Sequence, residues 1–414
     1  MTHEVHNKNT FSSKGAMAQG FTMNSLKQSV LVFALFVLAT ITHGQAITSL
    51  NFNHWYNPQN EVDLRMHIAR GQSSLLVNYF LKTTQFPADK YSITWERRDS
   101  YATREGASLT EKDTLQVTTG NQKSGELSFI VPEKPWILLA KVTHIESQKS
   151  WYYFKLMEAI YPVKGWIENS DKSVVMENYL FGGKAYTIKS TDDKPMHVSF
   201  YKTTSFFQPY PPFAEKTSPA DRFLFHDSIF HLVSGSSFTL KREGLYLFQQ
   251  DTASADGFAV RVVSGNFPKY TKIDDLADPL IFVTTPEEYK QLVAAGNEKP
   301  KFDKVVLDIT RDKDRAKNFM RSYFRRVELA NQYFSSFKEG WKMDRGMIYL
   351  VFGVPDELAK NGGNEVWNYR SFGARFTFVK SGSVYDPDNY VLLRDKRFTE
   401  AWFSTIDLWR KSRF

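Results

Sequence analysis

The 414-residue sequence contains no cysteine. That absence excludes disulfides, thiolate zinc sites, iron–sulfur clusters, cysteine nucleophiles and a lipidated N-terminal cysteine, so the fold must hold by burial and hydrogen bonding alone. Histidine is sparse, with nine residues and none beyond His231. The C-terminal part of the chain can therefore build neither a Ser-His-Asp triad nor a histidine metal site. Gly-x-Ser-x-Gly, Walker, Gly-x-Gly-x-x-Gly and His-Glu-x-x-His patterns are missing as well, and the expectation is no cofactor and no bound metal. The apolar run Val30 to Ile41 is too short for a membrane span, which needs about 20 residues.

That run reads instead as the centre of an export signal. Met23-Asn-Ser-Leu-Lys27 supplies a short positive region and Thr42 to Ala46 supplies small residues, with cleavage after Gly44 or Ala46. The polar residues before Met23 place the translation start at Met23. The expectation is a periplasmic protein, not a lipoprotein, with no integral span once residues 1–46 are gone. Removing Lys8, Lys14, Lys27 and Glu4 from 53 basic and 45 acidic residues leaves 50 and 44, a net charge of +6. These charges are scattered and form no stripe, which argues against nucleic acid and for solubility or weak attraction to an anionic envelope surface.

What the chain has in abundance is aromatic residues: 34 Phe, 20 Tyr and 9 Trp. They favour strands and large packed interfaces, and a chain of this length is expected to divide into two or three domains. Glu61 to Ile68 alternates polar and apolar residues, placing Val62, Leu64, Met66 and Ile68 on one face of a half-buried strand. Runs at Leu75–Leu81, Tyr91–Glu96, Leu115–Thr118, Leu127–Val131, Ile137–His144 and Trp151–Met157 follow, separated by Gly and Pro. This spacing predicts an immunoglobulin-like antiparallel β-sandwich over residues 47–161.

Tyr161 to Trp166 reads as a joint. A second β-rich sandwich module is predicted over 162–268, with strands at Tyr186–Lys189, Val198–Tyr201, Ser237–Leu240, Gly244–Gln249 and Phe258–Val263. Within it, the aromatic and proline-rich loop Phe206 to Phe213 can bind an extended partner or cover a sheet edge. His226 and His231 fall on opposite faces of a strand and do not converge on a metal.

The third region, 269–414, changes character. Thr285-Pro-Glu-Glu288 is a capping box opening a helix that Gly296 ends. Lys304–Ile309 reads as a short strand or entry segment. Arg311 to about Phe337 is a longer helix with Met320, Phe324, Val327 and Phe334 on one ridge and Arg321, Arg325 and Arg326 facing outward. Trp402, Ile406 and Trp409 fit a C-terminal helix rather than a closing membrane β-strand.

After the long helix comes a dense string, Gly340, Trp341, Asp344, Arg345, Gly346, Tyr349, Gly353, Pro355, Asp356 and Glu357, followed by Glu365-Val-Trp367-Asn-Tyr369. Read physically, Gly340 is a left-handed helix stop, Trp341 packs back on the helix, and Asp344-Arg-Gly346 turns into a strand at Met347–Phe352. Glu365–Tyr369 and Ala374–Val379 are its sheet partners, an α+β unit. The string resembles the GWxTD domain of secreted and envelope proteins of Bacteroidota and related bacteria, with Met343 where the family has Thr. The resemblance implies an envelope location and a helix-plus-antiparallel-sheet domain; it implies no reaction.

Asp344, Asp356, Glu357 and Glu365 are the only carboxylate set dense enough for acid–base work, with Arg345 as an anchor. In turns such residues cap backbone N–H groups or pair with arginine, and Asp344 is expected to accept backbone N–H bonds or to pair with Arg345. The expectation is therefore a non-catalytic envelope protein working in protein–protein interaction or assembly. Its partners would be envelope proteins or an extended peptide or glycan. The alternative is a carboxylate-dependent hydrolase or carbohydrate-binding protein acting on an envelope polymer.

Overall fold

A computed structural model describes residues 44–109, 114–202, 207–215 and 224–413. The export signal and Phe206 lie outside the described residues. The first β region comprises β1 (Val62–Arg70), β2 (Ser74–Thr83), β3 (Tyr91–Arg98), β4 (Ala107–Ser108), β5 (Thr114–Thr119), β6 (Gln122–Ile130), β7 (Trp136–His144) and β8 (Ser150–Met157). These form two four-stranded antiparallel sheets, ordered β1-β2-β6-β5 and β4-β3-β7-β8. Alternation works as expected: Val62, Leu64 and Ile68 of β1 are buried together with Val77 and Leu81 of β2 and Leu138 and Val142 of β7, so the two sheets face one another across a common core.

The second β region holds β9 (Gly165–Glu168), β10 (Tyr179–Phe181), β11 (Ala185–Ser190), β12 (Met196–Tyr201), β13 (Ser228–Leu232), β14 (Ser237–Thr239), β15 (Gly244–Gln249) and β16 (Phe258–Val263). A five-stranded sheet, β10-β16-β15-β12-β13, faces a three-stranded sheet, β14-β11-β9. All its pairings are antiparallel except that of β10 with β16. Ile188, Val198, Phe248 and Val262 sit at the centre of its core.

The C-terminal region contains α1 (Ile273–Ala277), α2 (Pro286–Ala295), α3 (Lys299–Thr310), α4 (Lys313–Phe334) and α5 (Asp344–Phe352). Four strands follow, β17 (Glu357–Asn361), β18 (Asn364–Tyr369), β19 (Ala374–Lys380) and β20 (Tyr390–Leu392), and the region ends in α6 (Thr399–Arg410). The strands make one antiparallel sheet in sequence order. The Thr285–Glu288 capping box opens α2 as expected, and Asp312 caps α4 by accepting the Arg315 N–H at 2.9 Å.

Two expected strands are helices. Lys304–Ile309 lies inside α3, where Phe302, Val305, Val306 and Ile309 are buried at helical spacing, a period that the shorter window concealed. Met347–Phe352 is the body of α5, and all six of these residues are buried. A short apolar run buried on every side carries no period with which to tell strand from helix. The strand expected there is β17 instead, pairing with β18 from Glu357↔Asn368 to Asn361↔Asn364.

The segment before β1 belongs energetically to the other end of the chain. Ile47, Leu50, Phe52 and Tyr56 are buried in the core formed by α4, α5 and the C-terminal sheet. Phe52 N–H donates to the Leu358 carbonyl at 2.8 Å, Leu358 N–H donates to Asn51 Oδ1 at 2.9 Å, and the Asn51 and Asn53 amides both donate to the Asp356 carbonyl at 3.1 Å. Among the described residues no helix is long and apolar enough to cross a membrane.

Candidate functional site

The Gly340–Gly353 string folds as three backbones in close contact: the end of α4, a 3-10 turn at Gly340–Lys342, and the first turn of α5. Gly340 is not a left-handed helix stop. A Cβ there would sit 1.9 Å from the Ala330 carbonyl oxygen of α4, so its role is close approach. Gly346 repeats the device one layer on, since a Cβ would lie 1.7 Å from the Gly340 carbonyl oxygen. Gly353 ends α5 at φ +88°, where a side chain would meet the Arg326 guanidinium. Arg326 does not face outward with Arg321 and Arg325; it is half-buried and donates to the Tyr349 carbonyl at 3.3 Å, at the electronegative end of α5. Burial lowers its pKa.

Trp341 is 2% exposed. Its backbone N–H donates to Asn331 Oδ1 on α4 at 3.4 Å, its indole N–H donates to Tyr270 Oη at 2.9 Å, and its ring meets Phe282 edge-on. Met343, where the family has Thr, is the N-cap residue of α5, extended at φ −91° and ψ 151°, buried, and without a side-chain cap bond.

The four carboxylates do not converge. Asp344 accepts the Leu392 N–H at 2.8 Å, the kind of backbone bond expected of it, and pairs with Arg394 at 2.6 Å rather than with Arg345, tying α5 to β20. Glu365, fully buried on β18, takes Lys360, the Arg345 guanidinium at 3.4 Å and the Trp367 indole N–H at 2.7 Å. Burial opposes its ionisation, but Lys360 and Arg345 hold its carboxyl below the usual range. Asp356 is exposed and accepts the Arg370 N–H at 2.7 Å, while Glu357 meets the Arg370 guanidinium and the Asn368 amide at 3.2 Å. Pro355 and Trp367 are buried between these groups.

Arg345 is the hub. It donates to Tyr56 Oη at 3.2 Å, to Glu365 at 3.4 Å and to the Asp388 carbonyl at 3.3 Å, and lies 4.4 Å from the Tyr390 ring centroid. Against the cost of burial, Tyr56 and Glu365 raise its pKa. Tyr349 Oη donates to the Tyr56 carbonyl at 3.0 Å. The motif thus clamps the N-terminal segment, α5 and the sheet together.

Open space lies elsewhere. A cleft of about 390 Å³ forms where β1 and β8, the stretch 175–179 with β16, and the end of α4 with the loop 385–388 meet. Asp63 and Glu177 flank Arg65 at 3.0 and 2.9 Å on one wall. On another, Asp388 bridges Lys155 at 3.1 Å and Lys380 at 2.9 Å, and these lysines, Lys155 foremost, hold its carboxyl below the usual range. Burial and the neighbouring Asp388 push Asp386 up. His67 bonds the Gly165 carbonyl at 3.2 Å, and burial lowers its pKa to about 4. None of these residues carried a sequence signal, because the cleft exists only where three regions of the chain are assembled.

His231 faces His197 across β12 and β13, ring centroids 4.5 Å apart, while His226 meets Tyr201. Among the described residues no group of three or more His, Asp or Glu is arranged to hold a metal ion.

No curated protein matches the sequence. One solved structure similar in part is described as native alpha-2-macroglobulin from Escherichia coli spanning domains MG0-NIE-MG1, at 9% identity, covering 52% of this chain and 75% of that one, with a TM-score of 0.15. That score is too low to carry an argument. The family comparison agrees with the residues of the clamp: the GWxTD domain model matches residues 244–411, from β15 through α6. Residues 244–411 of the chain are thus a GWxTD domain.

Proposed function

We propose that the protein is an exported, periplasmic component of the cell envelope in Bacteroidota or related bacteria, and that it acts by protein–protein interaction or assembly rather than by turnover. In this reading two immunoglobulin-like sandwich modules and the GWxTD domain form one scaffold that presents edges, loops and the cleft between them to another envelope protein. The observation that supports it is the fate of the motif's polar groups. Asp344, Arg345 and Glu365 are spent on one another's neighbours inside the fold, a pattern of structural ion pairs rather than of an acid–base site open to substrate.

The test is affinity purification of the chain from the native envelope after mild cross-linking, with identification of co-purifying proteins. A stoichiometric envelope partner, found with the mature chain in the periplasmic or outer-membrane fraction, is the expected result. Hydrolysis of a purified envelope polymer by the isolated protein, lost in Asp344→Asn or Glu365→Gln variants that still fold, would replace this reading with the carboxylate-dependent hydrolase.

A further inference from the structure

The cleft at the three-way junction has a chemistry of its own. Its volume of about 390 Å³ falls in the range of sites that take a small ligand or a short peptide segment rather than a folded surface. Asp63, Glu177, Asp386 and Asp388 line it against Arg65 and Lys155, and Lys380 answers Asp388 from beside the cleft; four carboxylates against three cations leave an excess of one negative charge in a chain whose formal net charge is +8. His67 adds no charge at neutral pH. A concave, low-dielectric site of one sign inside a molecule of the other focuses its field on that site.

The acidic groups also keep capacity. Asp63 and Glu177 remain 48% and 41% exposed although both contact Arg65, itself 27% exposed, and a carboxylate offers about four acceptor positions. Tyr161, Tyr179, Tyr333 and Tyr385 line the cleft as well, with Trp55. Aromatic rings together with carboxylates are a combination that recognises an ammonium or guanidinium group. Met66, Ile68 and Val260 supply apolar wall for the methylene stem behind such a head group.

We infer that this cleft binds a lysine or arginine side chain carried on an extended segment of a partner protein. The inference rests on the interaction reading above and names the chemistry of the partner. The apolar wall favours a side chain with a stem over a free polyamine, whose charges recur along its whole length.

Calorimetric titration of the full chain with blocked tripeptides Gly-Lys-Gly, Gly-Arg-Gly, Gly-Glu-Gly and Gly-Gln-Gly, and with spermidine, tests it. The basic peptides should bind at least tenfold more tightly than the acidic and neutral ones. Their affinity should fall on raising salt, because the attraction is screened. The double variant Asp63→Asn/Glu177→Gln should lose about tenfold in affinity with its thermal unfolding unchanged; the single variant Glu177→Gln serves if the double one unfolds. Equal binding of basic and neutral peptides, or full binding by the variants, overturns the inference. Tighter binding of spermidine than of either basic peptide overturns the assignment to a protein segment. A native partner captured equally by wild type and variant sinks the cleft as its site while leaving the interaction reading intact. Selective peptide binding without any captured partner does the reverse.

Discussion

The clamp and the cleft use the same residue types to opposite ends. In the clamp, Asp344, Glu365, Arg345 and Lys360 are at most 15% exposed at the side chain and close on one another. Backbones there approach so closely that two glycines are obligatory. In the cleft, Asp63, Glu177 and Asp388 stay between 41% and 49% exposed at the side chain although each is paired with a cation. The difference teaches that a dense, recognisable motif can be spent on holding a fold together. The string around Trp341 specifies how three backbones and the chain's own N-terminal segment fit together. The residues that line open space are scattered over the sequence.

The largest expected effect breaks the clamp at its tightest point. In Gly346→Ala the new methyl would overlap the Gly340 carbonyl oxygen, and neither helix can retreat without opening the core. Overpacking ordinarily costs about 1–3 kcal/mol, and a backbone-on-backbone clash exceeds that; the variant should fail to give a cooperative unfolding transition in denaturant. A variant as stable as wild type would show that the turn and α5 are loosely joined. Trp341→Ala comes next. It removes a buried ring and the bond to Tyr270, for about 3–5 kcal/mol by urea unfolding. Trp341→Phe, which keeps most of the ring, should cost about 1–2 kcal/mol.

Asp344→Asn sharpens the contrast between structural and catalytic carboxylates. The Asp344–Arg394 pair is 8–11% exposed, so removing the charge leaves a buried guanidinium short of its partner, at about 3 kcal/mol. The corresponding change in the cleft, Glu177→Gln, should cost under about 0.5 kcal/mol because surface pairs contribute little. Comparable losses at the two sites would erase the distinction.

How much of this was legible in the sequence follows from the range of the interactions. Alternation announced β1 and the capping box announced α2, because both signals are local. The apolar run at Met347–Phe352 was visible but mute, since a segment buried on all sides has no period. Asp344 and Arg394 are far apart in the chain, as are Tyr56 and Arg345, and no spacing rule links them. The glycines were read as turn formers because chain conformation is the local reason for glycine; close approach to a distant backbone is the non-local one.

His54 and His67, the latter in the cleft lining, are each half-buried and each lowered by burial to a pKa of about 4. His54 bonds the Tyr152 carbonyl at 3.0 Å and His67 the Gly165 carbonyl at 3.2 Å, so both are neutral at joints between parts of the fold. The unfolded chain binds a proton at each near pH 6.5 and the folded chain only near pH 4, so the folded state loses ground as pH falls through that window. At pH 5 the loss is about 2 kcal/mol per histidine relative to pH 7. His67→Gln should remove about half of the stability loss that the two histidines cause between pH 7 and pH 5. An unchanged slope would mean that His67 is solvated and ionises freely.

The last effect concerns the departure from the family string at Met343. Met343 occupies the N-cap of α5 with the extended backbone a capping residue needs, and its carbonyl already accepts the Met347 N–H at 2.8 Å. A Thr hydroxyl at this position would reach the N–H of Gly346, third in the helix, and satisfy a donor that Met cannot. Replacing Met by Thr also removes buried apolar surface, so comparison with wild type mixes two opposed terms. The isosteric pair Met343→Thr and Met343→Val separates them, because both lose nearly the same volume and only one can cap. Met343→Thr should unfold at higher denaturant than Met343→Val, by about 1 kcal/mol. If the Val variant is the more stable, the hydroxyl finds no donor there. The Thr of the family string would then have a role other than capping, which would reopen the motif as a place where chemistry rather than architecture is at work.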